Sequence, residues 1–257
     1  MKKKNRYLIF QFIFIEMVLI MISGCKKDNT ADDSKDKKTI TYGSMSDLDG
    51  NTYKTLTLGT QTWMAEDLRT TKFNDGTAIP NVTSANLWDS LTTAAFCTYN
   101  NTLNTDTINT CGRLYNWYAV NSGKLCPSGW HIPDDQEWKT LENYLIANKF
   151  SYDSLTTDNM IGKSMASTTG WLTSLNYASI GNDESVNNRS GLTCVPAGAR
   201  LGGANFGDFG VVNYLWSSSE ANALWANCRY LAYDNNSLGT FTSYKFFGFS
   251  VRCVKDK

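Results

Sequence analysis

Residues 129–138, "GWHIPDDQEW", hold the one histidine of the chain, His131, close to Asp134, Asp135 and Glu137. A histidine beside carboxylates can act as a general base, a proton relay or a metal ligand. Each of those roles needs a partner, such as a nucleophile, a second titratable group or a metal. The chain has no GxSxG, no HExxH and no CxxC pair, so neither nucleophilic catalysis nor a zinc site is expected. The acids have a simpler use. Asp134 follows Pro133 and precedes Glu137 by three residues, the spacing of a capping box, and negative charge in a first helical turn complements the helix dipole. Trp138, Leu141 and Leu145 then share one helix face. His131, at the entry to this helix, is expected to be architectural.

A second set of residues suits ligand recognition. "LWANCRYLAYDNNSLGTFTSY" places Trp225, Asn227, Arg229, Asp234, Asn235, Asn236 and Tyr244 within a short span. An exposed indole can cover the apolar C–H face of a sugar while amides and carboxylates bond its hydroxyls. Alternate residues of a strand share a face, so Trp225, Asn227 and Arg229 are expected to point the same way. Ordinary strand and turn composition accounts for the same letters, because Asp-Asn-Asn is also turn chemistry. The Asp47, Asp49, Asn51 spacing begins like a calcium loop but lacks the closing glutamate and the following helix. Neither a metal nor any other cofactor is expected.

The elements that must position these residues are mostly strands and loops. Asp49-Gly50 reads as a turn ahead of the alternating strand "TYKTLTL", and residues 74–112 read as polar loops with brief strands. "GRLYNWYAV", 112–120, has Leu114, Trp117 and Tyr118 at the spacing of a short buried helix. From residue 170 onward, "GWLTS", "SGLTCVPAGARLGG", "NYLWSSSE", "ALWANCRYLAYDNN" and "FGFSVRCVKD" read as strands separated by Gly and Asn turns. Eight Trp, 13 Tyr and 12 Phe can supply the core of one compact domain.

The N-terminus reads differently. A basic start (Lys2, Lys3, Lys4 and Arg6), an apolar stretch from about Tyr7 to Ile22 and a closing "ISGC" give the order of a bacterial export signal. Ile22-Ser23-Gly24-Cys25 resembles a lipobox, whose cysteine is lipidated and becomes the first mature residue. Residues 1–24 are therefore expected to be a lipoprotein signal peptide and 25–40 a lipidated Cys25 with a charged tether, since 26–38 contain five Lys, four Asp and no apolar residue larger than Ala31. Residues 41–257 form a single domain on this reading. The signal peptide takes four bases and one acid from a net charge of zero, leaving the mature chain at −3. Such a chain has no electrostatic footprint for nucleic acid. Six cysteines remain beyond Cys25, an even number that favours disulfides in an exported protein.

"DLDGNTYKTLTLGTQTWMAEDLRTTKFNDGTAIPNVT", "GRLYNWYAVNSGKLCPSGWHIPDDQEW", "LWSSSE" and "GFSVRCVKD" resemble, in order from about residue 45 to 254, the Fibrobacter succinogenes major paralogous domain. Members are typically exported lipoproteins of Bacteroidetes-like bacteria. "HIPDDQEW" and "GFSVRC" are more distantly similar to the formylglycine-generating-enzyme and sulfatase-modifying domains. That resemblance implies an α+β, C-type-lectin-like fold, with two helices flanking a small twisted antiparallel sheet and long loops. It also implies a disulfide between Cys126 and Cys253, and suggests Cys194 with Cys228 across the sheet, leaving Cys97 with Cys111. The closely spaced copper-binding cysteines of the enzymatic members have no counterpart here, nor do the calcium and sugar motifs of C-type lectins.

Together these observations lead to the expectation of a non-catalytic lipoprotein domain, lipid-anchored in the outer membrane and exposed at the cell surface, that binds a glycan or glycoprotein. The alternative is a structural component of a surface assembly or adhesin, held by protein–protein contacts.

Overall fold

A computed structural model describes residues 40–155, 157–203 and 205–257. The expected signal peptide, Cys25 and the tether up to residue 39 lie outside the described residues. Ile40, assigned above to the tether, already packs against the folded unit.

The first sheet begins with β1 (Gly43–Ser46) and β2 (Thr52–Leu58), joined by the "DLDGN" turn. Gly50 supplies the positive φ that the turn requires. β2 alternates only in part: it buries Tyr53 and Thr55 on one face and Leu56 and Leu58 on the other, and it turns tightly into β3 (Gln61–Met64). Beyond β3 lie β12 (Val254–Lys255) and then β6 (Trp130–His131), so the last strand of the chain is inserted between two early ones. A pair of short strands, β4 (Phe96–Cys97) and β5 (Leu114–Tyr115), stands apart.

The second sheet has the order β11 (Gly239–Tyr244), β10 (Trp225–Ala232), β9 (Val212–Glu220), β7 (Ala197–Arg200) and β8 (Phe206–Phe209). The β9–β10 ladder carries an irregularity between Ala226 and Cys228, and β7 meets β9 in parallel at Gly198 and Asn213.

Helices are few and short: α1 (Ala85–Asp89), α2 (Thr105–Cys111), α3 (Trp117–Val120), α4 (Asp135–Ala147) and α5 (Gly162–Met165). Among the described residues no helix is long and apolar enough to cross a membrane. The capping box at Asp134 and Glu137 is present, and Trp138, Leu141 and Leu145 are the buried face of α4. The Trp138 ring lies 4.7 Å from that of Trp63 on β3.

The expected α+β, C-type-lectin-like arrangement is overturned. The domain is mostly β, with two five-stranded sheets in place of one small sheet, and α4 is the only helix of more than two turns among the described residues. The short buried helix expected over 112–120 is present only as α3, and for a local reason. In "GRLYNWYAV", Leu114 and Tyr115 are drawn into pairing with β4, and Asn116 then caps a single turn, its side chain accepting from the Ala119 amide.

Two large core clusters join the sheets. One gathers Tyr53 and Met64 with Trp117, Trp216, Phe249 and Cys253, and the other gathers Leu56, Trp63 and Val254 with Trp138, Leu215 and Leu231. The compact unit Thr39–Lys257 contains both of them and a third around Trp88, so it holds a complete core of its own.

Candidate functional site

The residues expected to meet a ligand divide into three groups. Trp225, Asn227 and Arg229 do share a face of β10, as alternation predicts. That face, however, is capped by the start of α4. Arg229 Nη1 lies 3.0 Å from Asp135 Oδ1, and Asn227 donates to the other carboxylate oxygen of Asp135. Arg229 is buried, so these two side chains fasten the helix to the sheet rather than face solvent.

Asp234, Asn235 and Asn236 occupy the β10–β11 turn, at the far end of the hairpin from Trp225. Asn235 Oδ1 accepts from the amides of Asn236 and Ser237, and the Asn236 carbonyl receives the Gly162 amide at the start of α5. The turn chemistry docks α5 and leaves Asp234 exposed. The expectation that all seven residues form one site is therefore corrected.

Trp225 and Tyr244 remain. They are paired directly across β10 and β11, with ring centroids 4.0 Å apart. Tyr244 is 38% exposed and also stacks on Phe246 at 5.3 Å, while Leu224 beside them is 64% exposed. Glu220 projects an exposed carboxylate beside this cluster, held by the buried Lys245 ammonium. Phe246 was not singled out from sequence, because its place depends on the bend after β11 rather than on strand alternation.

The opposite face of the same sheet is partly open. Tyr214, Tyr230 and Phe241, with Val212 and Ala232, line a groove of about 250 Å³. Tyr214 donates to Asp208 Oδ2 at 2.9 Å, and burial followed by that bond pushes its phenol well above the ordinary range. The three rings come from three neighbouring strands, a juxtaposition that only the register reveals.

His131 has both ring nitrogens occupied. Nδ1 lies 2.6 Å from Asp256 and Nε2 2.9 Å from Glu137, so the ring ties Asp256, just after β12, to the first turn of α4. A smaller cavity of about 190 Å³ beside it is lined by Leu125, Ile132, Cys126 and Ser218 among others. Burial alone would lower the His131 pKa, but the hydrogen bonds that the ring donates to the Asp256 and Glu137 carboxylates outweigh it and raise the pKa. A raised folded-state pKa contributes stability that is fully present below the unfolded value and is lost as pH rises through the folded value. Accordingly, the stability advantage of the native chain over His131→Gln should be fully present below the ordinary histidine pKa of about 6.5 and fade as pH rises above it. Urea unfolding across that range checks it, and an advantage that grows with pH would refute the ion-pair role.

The acids of the calcium-like stretch are occupied by protein donors. Asp47 receives the Asn51 amide and the Tyr53 hydroxyl, and Asp49 receives the Thr71 amide and pairs with Lys72. Among the described residues, no group of three His, Cys, Asp or Glu side chains is placed to hold a metal ion.

Cys126 and Cys253 are joined by a disulfide. The other two expected pairs are not formed: Cys97, Cys111, Cys194 and Cys228 are free. Cys194 belongs to one core cluster and Cys228 to the other, while Cys97 is held in the β4–β5 pair and Cys111 ends α2. Burial pushes the Cys111 and Cys194 thiols up to about 11 and that of Cys97 up to about 12. Cys228 is raised further by the same cause, so these thiols are poor nucleophiles at neutral pH.

Comparison with known families matched residues 56–255 to the Fibrobacter succinogenes major domain. Comparisons with curated proteins and with solved structures found no match. The family match spans well over half of the sequence, and the chain belongs to the Fibrobacter succinogenes major domain family.

Proposed function

We propose that this domain binds an extracellular glycan or glycoprotein without catalysis, and that it is held at the outer membrane by a lipid on Cys25, exposed at the cell surface. The observation that supports the binding role is the Trp225–Tyr244 pair, an aromatic surface at the open end of a hairpin with an exposed carboxylate beside it. Ring faces of this kind match the C–H faces of pyranoses, and Glu220 supplies an acceptor for hydroxyls. Occupied His131 nitrogens and raised thiols favour a binding role over a chemical one.

The test is a glycan and polysaccharide array probed with residues 39–257. Selective binding should weaken ~30-fold in Trp225→Ala, as for an anchor worth about 2 kcal/mol, and stay unchanged in Asp234→Ala. Equal binding by both variants would move the site away from the aromatic pair.

The second reading is a component of a surface assembly, and β11 favours it. β11 is an edge strand whose sequence "GTFTSY" contains no charge and no proline, the usual protections of an edge against strand addition. Array silence combined with capture of an extended peptide along β11 would support that reading.

A further inference from the structure

Four large apolar side chains project from two neighbouring loops away from the aromatic pair. Leu175 is 95% exposed and Tyr177 80%, and Leu155 and Tyr152 are also exposed. The Tyr152 and Tyr177 rings meet edge-on at 5.6 Å, which makes the two loops one patch. Both are anchored from beneath. The buried Lys163 ammonium donates to the carbonyls of Ser179 and Asp183, and its nitrogen lies 5.9 Å from the Tyr152 ring. Trp171, buried at the base of the second loop, donates from its indole to Ser167. Side chains held this far into water on pinned loops are unusual on a monomer surface and mark a contact site.

The segment that follows the expected tether enters the domain near this patch. Ile40 and Tyr42 lie against Gly191, and the Tyr42 hydroxyl donates to the Gly191 carbonyl. Arg189, two residues earlier, donates to the Lys149 carbonyl, and its guanidinium lies over Phe150. Phe150 is followed two residues later by Tyr152. A short run of contacts thus leads from the point where the N-terminal segment enters the domain to the apolar patch. Between Cys25 and Ile40 there are 14 residues, which span at most ~50 Å when fully extended.

We infer that this patch rests on the lipid surface to which the chain is anchored, inserting Leu155, Leu175 and Tyr177 into the headgroup region. The inference rests on the reading that Cys25 is lipidated. The charges around the patch lean acidic, with Asp153, Asp158, Asp183 and Asp234 against Lys149 and Arg189, so an anionic surface would repel it and the lipid it takes is a zwitterionic interface. Tyrosine and leucine suit that boundary, with an apolar body and, for tyrosine, a polar tip. The contact is weak by itself and becomes significant because the tether keeps the patch close to the bilayer.

The test uses residues 39–257, which carry a complete core and no lipid, in flotation with vesicles of phosphatidylcholine and phosphatidylethanolamine. At about millimolar lipid the native domain should float, with a partition constant no stronger than the ~10⁴ M⁻¹ of a single myristoyl chain, and the binding should survive high salt. Leu175→Asp/Tyr177→Asp should reduce flotation at least ~10-fold, with an unchanged melting temperature, because both side chains lie in water in the native domain. Failure of the native domain to float, equal flotation of the variant, or binding abolished by salt would each overturn the inference. So would a concentration-dependent dimer that the same variant dissociates, which would assign the patch to a second copy of the chain. Mass spectrometry of the cellular protein tests Cys25 separately: an unlipidated Cys25 would sink the anchor and leave the vesicle result standing.

Discussion

Arg252→Met should destabilise the domain by about 3–5 kcal/mol, the loss typical of removing one partner from a buried ion pair. Arg252 and Asp67 are 1% and 2% exposed, with Nε 2.7 Å from Oδ1. Arg252 also donates to the carbonyls of Leu192 and Thr193, while Asn213 donates to the second oxygen of Asp67 at 3.3 Å. One guanidinium therefore fixes the segment after β3, the loop before β7 and the run into the last strand. Burial pushes the Asp67 carboxyl upward, against the attraction of Arg252. Methionine fills much of the volume but leaves that carboxylate without its counter-charge and two carbonyls without their donor. Asp67→Asn/Arg252→Met together should lose clearly less than the sum of the single changes, because neither charge is then stranded. Equilibrium unfolding in urea measures all three. A loss below about 1 kcal/mol for Arg252→Met would mean that water reaches the pair.

The same pair illustrates what the sequence makes legible. Helix α4 could be located because its signals are local: Asp134 and Glu137 bond backbone amides within one turn, and Trp138, Leu141 and Leu145 repeat on one face. The shared face of Trp225, Asn227 and Arg229 was equally legible, since alternation needs only the strand itself. What covers that face was not, because Asp135 is some 90 residues away and its approach depends on how α4 sits on the sheets. The sheet architecture was obscured for a related reason. β12 is two residues long, and "GFSVRC" before it runs as extended chain making isolated bridges to Tyr115, Arg200 and Leu215. Such a segment has no periodicity, so it gives no sign that it links both sheets. The cysteine count misled in the same way. Six thiols suggested three bridges, but the two large core clusters take Cys194 and Cys228 as small apolar side chains in separate places.

Removing the remaining bridge is expected to be the most damaging change of all. Cys126 and Cys253 close a loop with a sequence separation of 127, which the chain-entropy relation values at about 5 kcal/mol. Cys126→Ala/Cys253→Ala should therefore lower unfolding stability by about 4–5 kcal/mol, mainly by freeing the unfolded chain. The native consequence is local, because Cys253 precedes β12 and its carbonyl receives the Met64 amide. With only two residues in its final strand, the first sheet has few ladder bonds to keep the C-terminus between β3 and β6, and the covalent link supplies that restraint. Alkylation of the denatured but unreduced domain should label four thiols of residues 39–257, and six after reduction. Four labelled thiols together with a small loss in the double variant would show that the last strand is held by packing alone. Fewer than four would mean that further cysteines pair after all, and a Cys194–Cys228 bridge would require the two core clusters to rearrange.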